Sequence, residues 1–348
     1  MSGMITEHTF EGLPSWQEIL DIGADRLSEA GIAEAELDAW YLLSDSFSID
    51  RVHFLMDRSR TVHPGTFEKG WPVFAERIEQ RSSRIPLQQI LGYQEFMGLS
   101  FLVNDQVLIP RQDTETLVEE VLKDCQDRET EILDMCTGSG CIGLSLAVLG
   151  KYRSVSAADI SEGALKVALK NARNLFMVQK NVIRSQSKKA SETPWRMELS
   201  VWTGESRKGT GIFGNRPGTG HPEQVEERRF TLFQSDLFSE NGGRFYDVIV
   251  SNPPYIPSAV VDSLEPEVRD HEPRLALDGL EDGLYFYRRL AEACRHHLKP
   301  GGRIYFEIGY DQGAAVTRLL EEKGYRNVQV IKDAPGLDRV VKAEIAKC

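Results

Sequence analysis

The chain has 348 residues, 41% hydrophobic and 27% charged, proportions that exclude a disordered polymer or a coiled-coil rod and leave room for a core domain plus a smaller one. Its 53 acidic residues outnumber 41 Lys and Arg, giving a net charge of -12, which disfavours broad contact with a phosphate backbone. No apolar run approaches the roughly 18 residues that span a bilayer, and the opening MSGMITEHTFEGLPSW has neither a signal-peptide core nor an Arg-rich transit character, so a soluble cytoplasmic protein is expected.

From about Ser15 to Arg84 the apolar residues recur at helical spacing. Trp16, Ile19, Leu20, Ile22 and Leu27 form one stripe, Leu37, Trp40, Tyr41 and Leu43 a second, and Phe67, Trp71, Phe74 and Ile78 a third. A helical domain over 1–90 is inferred. Gln89–Met97 and Leu99–Ile109 are short β-rich runs punctuated by Gly92 and Gly98, read as a hairpin linker reaching to about residue 109. From 110 to 348 the pattern becomes α/β. Ile132–Met135 is a buried strand, Thr137–Gly140 a turn and Ile142–Leu149 the start of a helix; Val155–Ile160 and Glu162–Phe176 follow as strand and helix. Strands are expected at Phe230–Gln234, Tyr246–Ser251, Arg303–Ile308, Val328–Ile331 and Arg339–Ile345, with helices at Leu284–Leu298 and Gln312–Lys323. The last two strands, joined by a short turn at Pro335 and Gly336, should form an antiparallel hairpin at a sheet edge.

Residues 178–228 interrupt this rhythm. They are rich in Ser, Lys, Thr, Gly and Pro and carry about nine basic residues against six acidic ones, and they read as a flexible, locally basic insertion. A solvated loop and an RNA-touching patch are both compatible with that composition. The five cysteines, Cys125, Cys136, Cys141, Cys294 and Cys348, are odd in number and include no C-x-x-C pair or His partner at metal spacing. They read as reduced packing residues, and no metal site is expected.

Two motifs carry chemistry. Gly138, Gly140 and Gly143 spell G-x-G-x-x-G after a strand and at the start of a helix, with Asp159 ending the next strand. Glycines let the backbone approach a ligand, and the later carboxylate suits ribose hydroxyls. This loop indicates an adenosine-containing cofactor without choosing among them. Asp134, before the turn, favours the cationic S-adenosyl-L-methionine over a pyrophosphate-bearing nucleotide. The second motif, Asn252-Pro253-Pro254-Tyr255, follows the apolar strand YDVIVS, at the strand end where doubly wound sheets place their sites. Asn252 offers a side-chain carbonyl, the prolines aim a main-chain carbonyl, and Tyr255 can lie flat against a planar amide or base. Together these groups suit the gripping of an NH2 group beside a methyl donor.

The stretches PLQQILGYQEFMGLSF, VLIPRQDTETLVE, ILDMCTGSGCIGLSLA, FYDVIVSNPPYIP, EPRLALDGLEDGLYFYRRL and GGRIYFEIGYDQG resemble the peptide chain release factor glutamine methyltransferases, the PrmC/HemK group. The tetrad alone is shared with amino-methyltransferases of DNA and RNA; VLIPRQDTE and EPRLAL are narrower. The resemblance implies an α/β fold, a seven-stranded Rossmann-like class I methyltransferase domain with a small N-terminal helical domain that docks the protein substrate. It implies methylation of the glutamine amide in the Gly-Gly-Gln motif of class 1 release factors, with no membrane and no nucleic-acid substrate. It places the cofactor at Asp134, Cys136, Thr137, Gly138, Ser139, Gly140, Asp159, Asp236, Leu237 and Asn252, and the target glutamine at Asn252, Pro253, Pro254 and Tyr255. Arg111, Asp113, Thr114 and Glu115 are either cofactor-lid residues or a salt-bridged turn. Departures from the family pattern are Cys136 for a loop glycine, Gln112 for proline, Asp113 for glutamate and Leu280 for glycine. The competing readings are a nucleic-acid adenine or cytosine amino-methyltransferase, a non-catalytic scaffold that keeps the cofactor fold and, last, a nicotinamide oxidoreductase, which leaves the tetrad unexplained.

Overall fold

A computed structural model describes residues 5, 10–178, 182–187, 195–203 and 226–347. Two units divide the chain: residues 1–93 with 264–272, and residues 94–263 with 273–348.

The first unit is built from α1 (Trp16–Glu29), α2 (Ala35–Phe47), α3 (Arg51–Asp57), α4 (Pro64–Ser82) and the short α5 (Leu87–Leu91). Ser15 and Glu18 form a capping box at the start of α1, satisfying two otherwise orphaned N–H groups. The stripes read from the sequence meet in one core, with Ile19, Leu20, Leu27, Leu42, Leu43, Phe74 and Ile78 buried. Residues 264–272 complete this unit although they follow the tetrad in the chain. Arg81 Nε donates to Asp38 Oδ2 at 2.6 Å, and its terminal nitrogens donate to Glu267 Oε1 at 3.2 Å; Gln89 donates to the His271 carbonyl at 2.9 Å. The sequence pattern gave no sign of this return, because a one-turn helix, Pro266–Arg269, is too short to show periodicity.

The second unit opens with the hairpin β1 (Tyr93–Phe96) and β2 (Leu99–Leu102), then α6 (Glu115–Asp124), β3 (Glu131–Met135), α7 (Cys141–Ser145), β4 (Ser154–Asp159) and α8 (Glu162–Val178). It continues with β5 (Val182–Ser187), β6 (Arg196–Thr203), β7 (Glu226–Gln234), β8 (Tyr246–Ser251), α9 (Tyr285–Cys294), β9 (Leu298–Glu307), α10 (Gly313–Glu322), β10 (Arg326–Lys332) and β11 (Asp338–Glu344). The sheet order is β10-β11-β9-β8-β3-β4-β7-β6-β5. β9, β8, β3, β4 and β7 run parallel, and β10 and β11 form the expected antiparallel edge hairpin. Helices cover both faces: Leu117, Val118 and Leu165 from α6 and α8 pack on one, Leu290, Cys294, Val316 and Leu320 from α9 and α10 on the other.

Two expectations need correction. The seven strands expected are all present, but the segment read as a flexible insertion supplies two more, which makes a sheet of nine among the described residues. β6 pairs antiparallel with β7 over eight residue pairs and β5 pairs antiparallel with β6. The cause is visible in the alternation of Met197 and Leu199 with Arg196 and Glu198: Leu199 is buried and Met197 packs against the same core, a period-two pattern diluted by charge. The remaining positions of that expectation, 179–181, 188–194 and 204–225, lie outside the described residues. The run Gln89–Met97 is also only partly β, because α5 precedes the strand and Gly92 ends it in the left-handed region, at φ 82°.

Candidate active site

The chain runs from β3 outward to β4 and β7, then returns to place β8 on the other side of β3, so a switch point opens at the carboxyl ends of β3, β4 and β8. Register sharpens this. Met135 is paired with Ala158 and with Ser251, and Ser251 with Phe306. The next residue on each strand, Cys136, Asp159, Asn252 and Glu307, therefore falls on one common edge.

A cavity of about 250 Å³ sits there, lined by Cys136, Thr137, Gly138 and Ser139 of the glycine loop, by Asp159, Asp236 and Leu237, and by Asn252 and Pro254 of the tetrad. Asp159 ends β4 and accepts from Gly138 N and Ser161 N, each at 2.9 Å. It thus shapes the loop as well as facing the cavity, and burial raises its pKa. Asp236 is exposed and paired with Arg289 at 3.0 Å.

Four of the expected residues stand behind the lining. Asp134 is fully buried; its Oδ2 accepts from the Thr137 hydroxyl and, at 2.9 Å, from Gly143 N. Burial pushes its carboxyl up to about 7, and its Oδ1 is buried without a partner. A Cβ at position 143 would lie 2.9 Å from Asp134 Oδ2, so the third glycine of the motif makes room for this carboxyl. Gly140 caps α7 from behind at φ 83°. Pro253 is buried and Tyr255 is packed against the second core cluster, its hydroxyl donating to Glu307 Oε1 at 3.5 Å.

The turn after the hairpin divides its tasks. Arg111 and Thr114 line the cavity. Asp113 pairs with Arg339 at 3.1 Å, and Glu115 accepts from Met97 N at 2.5 Å. Cys136 and Leu280, where the resemblance implies glycine, both have positive φ, 63° and 66°, a backbone conformation that glycine adopts without strain. Desolvation, reinforced by Asp159, holds the Cys136 thiol well above its ordinary pKa, which disfavours the thiolate at this part of the lining. Sequence reasoning missed the apolar walls Val107, Ile160, Leu275 and Phe286, whose local pattern does not differ from that of core residues. It also left Glu307 and Gln312 without a role, although both lie in a stretch that carried the family resemblance.

Among known proteins, a family model described as the PrmC N-terminal domain matches residues 18–92. The release factor glutamine methyltransferase of Geobacter sulfurreducens is 34% identical over 329 residues, covering 94% of this chain and 96% of that protein. The one from Moorella thermoacetica is 37% identical over 316 residues, 90% and 93% of the two chains. A crystal structure of a release-factor-specific protein-(glutamine-N5) methyltransferase from Alicyclobacillus acidocaldarius aligns at 26% identity over 71% of this chain and 99% of that one, with a TM-score of 0.35. With such identities running almost end to end in both sequences, this chain belongs to the release factor glutamine methyltransferase family.

Proposed function

We propose that the protein transfers a methyl group from S-adenosyl-L-methionine to the side-chain amide nitrogen of the glutamine in the Gly-Gly-Gln motif of class 1 release factors. The observation that carries this reading is the shared cavity, where the glycine loop and Asp159 face the tetrad residues Asn252 and Pro254. The donor set suits a cationic, adenosine-bearing ligand: the backbone of Gly138 and Ser139 for close approach, carboxylates at Asp159 and Asp236, and apolar walls at Ile160 and Leu237. S-adenosyl-L-methionine supplies an electrophilic methyl carried on a sulfonium.

The residues of this chain then meet the difficulty at the acceptor. An amide nitrogen is a poor nucleophile because its lone pair is delocalised into the carbonyl. In this reading the Asn252 side-chain carbonyl and a main-chain carbonyl of the Pro253–Pro254 pair accept the two N–H groups, while Tyr255, packed behind the cavity, anchors the end of the tetrad. Both oxygens stabilise the positive charge that grows as the nitrogen rehybridises, an interaction strongest in the transition state. The nitrogen sheds its proton after alkylation, when it has become acidic, so no strong general base is required. Below the loop, Asp134 braces Thr137 and Gly143.

The test is intact-mass and peptide mass spectrometry of an unmethylated class 1 release factor incubated with this protein and S-adenosyl-L-methionine, beside an adenine-rich DNA duplex. One added methyl on the Gly-Gly-Gln glutamine is the expected result. Methyl on the duplex alone overturns the reading in favour of a nucleic-acid amino-methyltransferase.

A further inference from the structure

The segment FEIGYDQG has no part in the reaction described above, yet its side chains reach the tetrad. Glu307 ends β9, is 2% exposed and does not line the cavity. Its Oε1 accepts from the Tyr255 hydroxyl at 3.5 Å, and its main-chain carbonyl accepts from the Tyr287 hydroxyl at 2.7 Å. Arg339 of β11 and Asp113 and Thr114 of the turn before α6 face the same carboxyl. Five residues on, Gln312 is also buried. Its Oε1 accepts from Gly309 N at 3.0 Å, and its Nε2 donates to the Tyr255 carbonyl at 3.0 Å and the Gly283 carbonyl at 3.4 Å.

Tyr255 is thus engaged at both ends by one turn, at its phenol by Glu307 and at its main-chain carbonyl by Gln312. The prolines fix the middle of the tetrad through their rings. They do not fix its far end, and a small rotation there swings Asn252 away from the acceptor, where a misplacement of about 1 Å can cost 100-fold in rate. We propose that Glu307 and Gln312 are positioning residues for the tetrad, setting the angle at which Asn252 and the proline carbonyl meet the acceptor amide. The proposal rests on the methyl-transfer reading.

The experiment uses the full chain labelled with [13Cζ]tyrosine, the Tyr255 signal being assigned with Tyr255→Phe. Glu307→Gln keeps a carbonyl acceptor and the side-chain shape; Gln312→Glu keeps the bond to Gly309 N but turns an acceptor toward two carbonyls. Each substitution should lower kcat on the release factor about tenfold, the scale of a damaged buried hydrogen bond, with the calorimetric affinity for S-adenosyl-L-methionine unchanged. Glu307→Gln should also move the Tyr255 carbon signal, and its combination with Tyr255→Phe should be no slower than the worse single variant. An unmoved Tyr255 signal, additive losses in the double variant, or cofactor affinity falling in step with kcat overturns the proposal. If the parent protein leaves the release factor unmethylated, the functional reading is what fails, and the carbon signal alone decides whether Glu307 holds Tyr255.

Discussion

The two loops that face the cavity are built on opposite principles. The loop after β3 and the first turn of α7 are shaped by what they lack: Gly143 leaves room for Asp134, and their amides and the Thr137 hydroxyl are drawn onto two carboxyls, the buried Asp134 and the half-buried Asp159. The loop after β8 is shaped by what surrounds it. Two prolines stiffen it, Gln312 holds it from behind, and Gly279 and Gly283 press against the Tyr255 backbone so closely that a Cβ on Gly283 would lie 2.3 Å from the Tyr255 carbonyl oxygen. The first arrangement suits contact with a ligand's backbone-sized parts; the second suits holding two acceptor oxygens still. Close approach and rigidity are different requirements, and the fold supplies them from different elements.

Variants can separate the two. The largest effect is expected at the tetrad: Asn252→Ala should cost about 2–4 kcal/mol of transition-state stabilisation, read as kcat, while cofactor affinity by calorimetry stays near that of the parent. Gly283→Ala should follow, with about 1–3 kcal/mol lost in denaturant unfolding from overpacking at φ 72°, and turnover falling with it. If stability drops and turnover does not, the close packing is not what orients the tetrad. On the glycine-loop side, Asp134 has a folded-state pKa of about 7, against about 4 for an unfolded carboxyl. The folded protein therefore binds more protons between these values, and stability declines as pH rises through the window. Asp134→Asn should remove that decline, matching the parent near pH 4 and exceeding it above pH 7 by about 1–3 kcal/mol in cofactor-free unfolding. Asp159→Ala should weaken cofactor binding by about 1–2 kcal/mol through lost hydrogen bonds; an effect on kcat alone would transfer Asp159 to the acceptor side. The smallest expected effect is a gain: Leu280→Gly relieves a left-handed leucine at an exposed position, and after the unfolded-state entropy of glycine about 0.5 kcal/mol should remain.

Much of this was legible in the linear chain, and the parts that were not share a cause. The parallel core, the edge hairpin and the tetrad's place at a strand end follow from local pattern and a strand's hydrophobicity. The cavity brings Cys136–Ser139, Asp159, Leu237 and Asn252 together as the strand-end rule requires. Asp134 was assigned to the ligand because it precedes the turn, but its burial beneath Thr137 and Gly143 depends on strand depth, which sequence spacing does not encode. Glu307 and Gln312 act across strands through register, and β5 and β6 form because β7 offers an edge. Such relations exist only once the sheet is assembled.

The excursion of residues 264–272 has a consequence for anyone who would divide the molecule. The chain passes between the two units at three peptide bonds, after Tyr93, Ser263 and Glu272, where an ordinary pair of domains needs one linker. A fragment ending at Tyr93 would lose Glu267 and leave the buried Arg81–Asp38 pair short of a carboxylate. Its complement would carry nine residues stripped of their partners, sited between the tetrad and the cavity-lining Pro273 and Leu275. Gene fusion, domain exchange and limited proteolysis should therefore keep residues 264–272 together with the helical bundle whose side chains they satisfy.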